Sequence, residues 1–122
     1  MFFPPDYATS RSRFREAAKR LGWTLHTRQV GGTGPNGEEL SIDAAISPGT
    51  SAKNVVLISS GLHGVEAPFG TAVQLAVMDE WQRGNAQPAE VRCVFIHGLN
   101  PHGYTWERRV DANNVDPNRN FL

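Results

Sequence analysis

The first clear pattern is helical. Between Asp6 and Gly22, in "DYATSRSRFREAAKRLG", Tyr7, Phe14, Ala18 and Leu21 follow one another at spacings of seven, four and three, which predicts a helix with one apolar face. Asp6 suits the N-cap and Gly22 the C-terminal stop. "WTLHTRQV" (23–30) and "LSIDAAIS" (40–47) read as antiparallel strands, joined through the turn-forming "GGTGPNGEE". "PGTSAKN" is a further loop. The continuous apolar run "VVLISS" (55–60) predicts a strand buried on both faces. From Glu66 to Arg83 the helical period returns. Phe69, Ala72, Val73, Ala76, Val77 and Trp81 lie on one side, and Leu75 and Met78 widen the stripe into a largely buried helix. Pro68 falls in the first turn, where proline is tolerated. After the loop "GNAQPAE", the run "VRCVFIH" (91–97) predicts a second buried strand. Strand, helix, strand implies a parallel pair with a right-handed crossover. The expected class is α/β, a mixed sheet with flanking helices.

After His97 the periodicity fades. "GLNPHGYTWERRVDANNVDPNRNFL" is long, polar and rich in Asn, Pro and Gly. Loops of this length inside a domain are usually functional or disordered, and the anchors Trp106, Val110, Val115 and Phe121 predict an ordered, functional one. There is no internal repeat or low-complexity segment.

Composition narrows the class without naming a chemistry. At 122 residues the chain is one ordinary domain at most. Twelve basic and twelve acidic residues balance, so bulk charge gives no signal for nucleic acid or an anionic membrane. The single cysteine, Cys93, excludes an internal disulfide framework and reads as a buried, inert thiol. The start lacks the pattern of a signal peptide, and no apolar run approaches the roughly 20 residues that span a bilayer. The expectation is a soluble cytoplasmic protein.

Ligands of open α/β sheets collect beyond the carboxyl ends of the parallel strands. In "SSGLHGVEAPFG" (59–70), His63 follows the first of those strands and Glu66 lies three residues on. If Glu66 starts the helix, the two can face a common point, and imidazole with carboxylate makes a good zinc pair. The same residues also suit a plain strand-to-helix turn, because a glutamate in a first helical turn is favoured by the macrodipole. The long loop shifts the balance toward a ligand site. "RRVDANNVDPNRNF" holds three arginines and four asparagines in fourteen residues. Arginine forks bind carboxylates bidentately and stabilise oxyanions. Solvated Asx-turns, with arginines paired to Asp111 and Asp116, are the alternative. A serine hydrolase built on Ser59 or Ser60 is disfavoured, because the nucleophile-elbow pattern is missing.

Together, "GLHGVEAPFG", "NNVDPNRNF" and the segment "LNPHGYTWERRVDANNVDPNRNF" resemble the zinc carboxypeptidase superfamily: carboxypeptidase A, its cytosolic relatives and the aspartoacylase-like amidohydrolases. The nearest resemblance is to a bacterial branch known only as a domain of unknown function. Pro117 stands where the family's "VDLNRNF" has leucine. The resemblance runs from about "VVLISS" to the end of the chain. It implies His63 and Glu66 as zinc ligands. It makes Arg109 the catalytic group that polarises the scissile carbonyl, with Arg108 as runner-up. Asn118 and Arg119 become the pair that grips a substrate's terminal carboxylate. Asp116 and Asn120 are then support for the loop, and Asn100-Pro101 shapes the turn. The implied reaction is metal-assisted hydrolysis of an amide beside a free carboxylate, in a small peptide or acyl-amino-acid.

The family's third zinc ligand and its general base lie further downstream than Leu122. His97 could complete the site, although a packing or second-shell role suits it better, and Glu107 does not fit the missing base. His102 reads as a loop surface residue, and His26 lies in the hairpin. Residues 1–122 therefore read as the N-terminal portion of one zinc-carboxypeptidase-like domain, inactive alone, whose partner would be the C-terminal part of the same fold. An unpaired apolar sheet edge is a corollary. The competing reading is a non-catalytic module that binds carboxylates.

Overall fold

In a computed structural model, which describes residues 2–49, 52–84 and 90–120, the chain forms a four-stranded mixed sheet with helices against it. Helix α1 spans Tyr7–Arg20. Asp6 caps it by accepting the Thr9 N–H at 2.7 Å, and Gly22 follows its end in the left-handed region at φ +69°. Strands β1 (Thr24–Thr33) and β2 (Glu39–Ile46) pair antiparallel. β3 (Asn54–Ser59) leads through a 3₁₀ turn, Gly64–Glu66, into α2 (Ala67–Gln82). β4 (Val91–His97) returns parallel to β3 and antiparallel to β2, in the order β1-β2-β4-β3. A short helix, α3 (Pro101–Thr105), begins the final loop.

Both long helices share one core with the central strands. Phe14, Ala17 and Ala18 of α1 meet Leu75 and Met78 of α2 over Ala45, Cys93 and Phe95, with Trp23 closing the end. Cys93 is buried and free, as expected. Beneath α1, Arg15 grips the fully buried Asp43 of β2 with both carboxylate oxygens engaged, at 2.9 and 2.8 Å. Thr27 of β1 donates to the same carboxylate at 2.7 Å.

Two burial expectations are corrected. β3 is a strand but is not buried on both faces. It forms one edge of the sheet, and all six of its residues are exposed, with Val55 at 62% and Leu57 at 58%. The register sets Leu57 beside Val94, so these residues share the sheet face opposite the core. On that face Ile42, Ile46, Val94 and Ile96 are only half-buried. Helix α2 is also rotated from the expected stripe. It buries Ala67, Thr71, Ala72, Gln74, Leu75 and Met78, and it leaves Phe69 64% exposed with Val73 also outside. Gln74 accounts for part of this rotation. Its amide donates at 3.0 Å to the carbonyls of both Ile58 and Ile96, tying the helix to the ends of β3 and β4.

Candidate metal and carboxylate site

The segments that leave β3 and β4 stay side by side. Ser60 N–H donates to Ile96 O, Leu99 N–H to Ser60 O and Asn100 N–H to Gly61 O, at 2.8–3.0 Å. The bend after β3 uses Gly61 at φ +72°, where a β-carbon would press on Ala67 and on the Gly98 backbone. Gly64 begins the 3₁₀ turn, and a β-carbon there would overlap the Gly103 carbonyl of α3. Glu66 therefore ends a 3₁₀ turn and caps α2 from outside, rather than starting the α-helix itself.

The far wall is the loop after α3. Asn100 caps that helix, with its side-chain oxygen accepting Gly103 N–H at 2.8 Å and Pro101 at the first helical position, so this pair does shape the turn. Asp111 holds the next turn by accepting the Asn113 and Val115 amides at 2.9 Å, and Asn114 takes φ +62° within it. Val110 and Val115 are half-buried anchors, and the Trp106 indole donates to Thr33 O at 3.3 Å while its ring stays largely exposed. The expected anchor Phe121 lies outside the described residues.

Four side chains close into a ring. His63, nearly buried, places Nδ1 3.2 Å from Glu66 Oε1 and Nε2 2.9 Å from Asp116 Oδ1. Arg109 Nε donates to Asp116 Oδ2 at 3.0 Å, and its Nη1 stands 3.9 Å from Glu66 Oε1. Asp116 Oδ1 also accepts the Asn118 N–H at 2.9 Å. Desolvation pulls the Asp116 carboxyl upward. The hydrogen bonds from Asn118, His63 and Arg109, with the Arg109 charge, outweigh it and hold the pKa at about 2.

An anionic Asp116 can only accept, so Nε2 of His63 carries the hydrogen. In a neutral ring Nδ1 is then a lone pair facing the Glu66 carboxylate. The two acceptors stand 3.2 Å apart, an arrangement that a cation between them would complete. Two donors bound tetrahedrally at about 2.0–2.1 Å to one zinc ion lie about 3.3 Å apart, so the pair fits such an ion. A carboxylate on the other imidazole nitrogen is the outer partner that metal-bound histidines usually have. Among the described residues no set of three His, Cys, Asp or Glu side chains could hold a metal together.

The other residues singled out in the sequence lie as follows. Arg108 turns away from the ring, donating to Asn114 Oδ1 at 3.0 Å. Asn118 is half-buried and tied to Asp116 through its backbone. Arg119 is exposed, with Nη1 3.5 Å from Asn118 O. His97 does not reach the ring. It is fully buried beneath α1, with Nε2 2.7 Å from Ser10 Oγ and its ring stacked on Phe14 at 5.2 Å. Burial lowers its pKa to about 4, Asp43 pulling the other way. His97 therefore takes the packing role that suited it better in the sequence and does not join the ring. Glu107 is exposed, His102 is half-buried against Trp106 and His26 is exposed on β1. Asp116 is the residue whose part was understated. It does support the loop, but it also touches His63 and Arg109 directly. Its place in the segment "VDPNRNF", two residues before the Asn118-Arg119 pair, was the available signal.

Residues 3–122 match the model of a family described as "Protein of unknown function (DUF2817)". No curated protein matches the chain. Among solved structures it is similar to a "putative metallopeptidase" from Shewanella amazonensis, at 27% identity and a TM-score of 0.63, covering 96% of this chain and 41% of that one. A glutaminyl cyclase from Tannerella forsythia (12% identity, TM-score 0.56, 94% and 47% covered) and thrombin activatable fibrinolysis inhibitor (15%, 0.54, 83% and 26%) share the fold. The chain thus spans about two fifths of the length of its Shewanella relative. These likenesses bear out the expected α/β fold class and a metallopeptidase-like fold. No helix among the described residues is long and apolar enough to cross a membrane.

Proposed function

Because the chain belongs to this family, DUF2817, over nearly its whole length, we propose that it supplies part of the catalytic face of a zinc-dependent hydrolase that cleaves an amide beside a free carboxylate. On this reading residues 1–122 are the N-terminal portion of one zinc-carboxypeptidase-like domain. The observation that carries it is the placement of His63 Nδ1 and Glu66 Oε1 3.2 Å apart while Asp116 occupies Nε2. The name of the Shewanella relative supports a metal of some kind. The choice of zinc rests on the mixed nitrogen and oxygen donors.

Bound there, zinc would supply Lewis acidity to the scissile carbonyl and to an attacking water. The chain's own residues do the rest. Asp116 fixes the tautomer and tilt of the His63 ring. Arg109, tethered to the same carboxylate, presents its guanidinium toward the developing oxyanion. Asn118 and Arg119, on the exposed end of the loop, receive the terminal carboxylate of a small peptide or acyl-amino-acid. A non-catalytic carboxylate-binding module is the second reading, favoured by the finding that only two donors converge among the described residues. It predicts binding without turnover.

Two measurements test the proposal. Replacing Asp116 with alanine should weaken zinc by about 10- to 100-fold in calorimetric titration, as loss of an outer-shell partner does; unchanged affinity would remove its orienting role. Arg119→Ala should weaken a ligand with a free terminal carboxylate about tenfold or more while leaving its amidated counterpart unaffected. Equal loss for both ligands would take Arg119 out of carboxylate recognition.

A further inference from the structure

The sheet has two edges of opposite character. β1 carries His26, Arg28 and Gln29, all exposed, and its register with β2 shifts between Gln29 and Thr33. Charge and an irregular register are two of the devices that keep an edge strand from pairing further. β3 has neither. Its six residues, Asn54–Ser59, include no charged side chain, and they run in unbroken parallel register with β4, from Asn54 beside Val91 to Ser59 beside Ile96.

β3 is also open on both faces. Val56 and Ile58 share the face of the buried Cys93 and Phe95, yet they stay 45% and 37% exposed, so the helix layer does not close over this strand. On α2 itself Phe69 and Val73, four positions apart on one side of the helix, are exposed as well. Val55 and Leu57 point to the opposite face, where Val94 and Ile96 beside them are only half-buried. A strand with a free backbone edge and apolar side chains open on both faces fits a neighbour that brings a further strand together with cover for both layers.

We infer that β3 is the docking edge for the rest of the fold, a polypeptide that lays a strand along Asn54–Ser59 and spreads over the half-covered face. The inference rests on the reading of residues 1–122 as a portion of a larger domain, and it needs no bound ion. The Shewanella amazonensis relative identifies the occupant. It matches 96% of this chain with 41% of its own length, so more than half of a protein of this fold is built onto the shared unit. A second copy of this chain is the poorer occupant. Joined edge to edge through β3, it would lengthen the sheet and leave the half-covered face of both copies bare. A strand laid along β3 also has one end beside the bend that carries His63, so the docked segment borders the ring.

Co-expression of the chain with the part of the Shewanella amazonensis relative outside the match tests the inference. A 1:1 complex is expected in sedimentation velocity. In hydrogen exchange the β3 amides should slow by about tenfold or more relative to the chain alone, with those of β1 within about twofold. Leu57→Lys changes a residue already largely in solvent and should weaken the complex about tenfold or more, because it sets a charge in the new seam. Gln29→Lys, on the other edge, should stay within about twofold of wild type. If the added part does not fold as a separate chain, a chimera with residues 1–122 in place of the matched segment carries the same two readouts: protection of β3, and its loss in Leu57→Lys. Protection of β1 in place of β3, or a complex that Leu57→Lys leaves intact, overturns the choice of edge and leaves the portion reading standing. Two folded polypeptides that never associate, with a chimera whose β3 stays unprotected, bring down the portion reading and this inference with it. A chain that buries β3 in its own dimer, with or without the added part, gives the edge to a second copy and overturns the inference.

Discussion

A full-length protein carrying this segment is expected, on the zinc reading, to lose zinc when His63 is replaced by alanine. The substitution removes Nδ1, one of the two converging donors, and leaves Glu66 Oε1 as a single carboxylate contact on a side chain that is mostly in solvent. One exposed carboxylate oxygen is not enough to hold zinc against water, since even catalytic sites keep about three protein ligands. The variant should still fold. Asp116 retains the Asn118 amide and Arg109 after the imidazole is gone, so the loop keeps two of its three ties at that carboxylate. Elemental analysis after dialysis, with circular dichroism to check the fold, gives the comparison. Stoichiometric zinc on a folded His63→Ala protein would refute the ligand assignment.

The largest effect on stability is expected away from the site, at Arg15. Asp43 is fully buried on β2, and its carboxylate is neutralised by the bidentate Arg15 fork, with Thr27 as its other hydrogen-bond donor. Arg15→Met keeps much of the apolar stem of the side chain and removes the charge. It strands a carboxylate in the interior with one hydroxyl for company. Breaking a buried pair in this way costs about 3–5 kcal/mol, and because the Arg15 side chain is one-third exposed the lower end applies, about 3 kcal/mol. For a chain of this size that corresponds to a fall in Tm of roughly 10–15 °C. Adding Asp43→Leu to the same protein should restore a good part of the loss, because the orphaned charge goes too. A drop below about 1 kcal/mol in the single variant would mean that solvent reaches Asp43.

Much of this architecture could be read from periodicity, and the misreadings share a physical cause. The helix from Tyr7 to Arg20 and its Asp6 cap were visible because spacing and cap chemistry are local properties. β3 was visible as a strand, but its burial was not. A run of valine, leucine and isoleucine shows what a strand can bury and does not show whether anything lies against it. On α2, hydropathy favoured Phe69 and Val73, while the fold turned Thr71 and Gln74 inward. Gln74 has a task no hydropathy scale weighs, which is donating to two strand-end carbonyls. At the site, His63 and Glu66 are three residues apart and form a short-range pattern that can be seen in a string of letters. The contact between His63 and Asp116 spans 53 positions and depends on how the last loop folds back. The loop's arginines and asparagines, its place after β4 and the family resemblance all pointed to that loop, but none of them gave this contact. His97 looked well placed because it ends a strand beside the site, yet side chains alternate along a strand, and its turn falls on the core face.

The half-covered sheet face has a colloidal consequence. Val55, Leu57, Val94 and Ile96 form a band of aliphatic surface beside a backbone edge that is unpaired among the described residues, with no lysine or glutamate on β3 to repel a neighbour. Balanced formal charge on the whole chain adds no long-range repulsion. Sulfate and phosphate salts strengthen apolar burial and would push such molecules toward self-association, whereas cooling would ease it. The protein's behaviour in a test tube should thus be governed as much by buffer anion and temperature as by anything at the ring of His63, Glu66, Asp116 and Arg109.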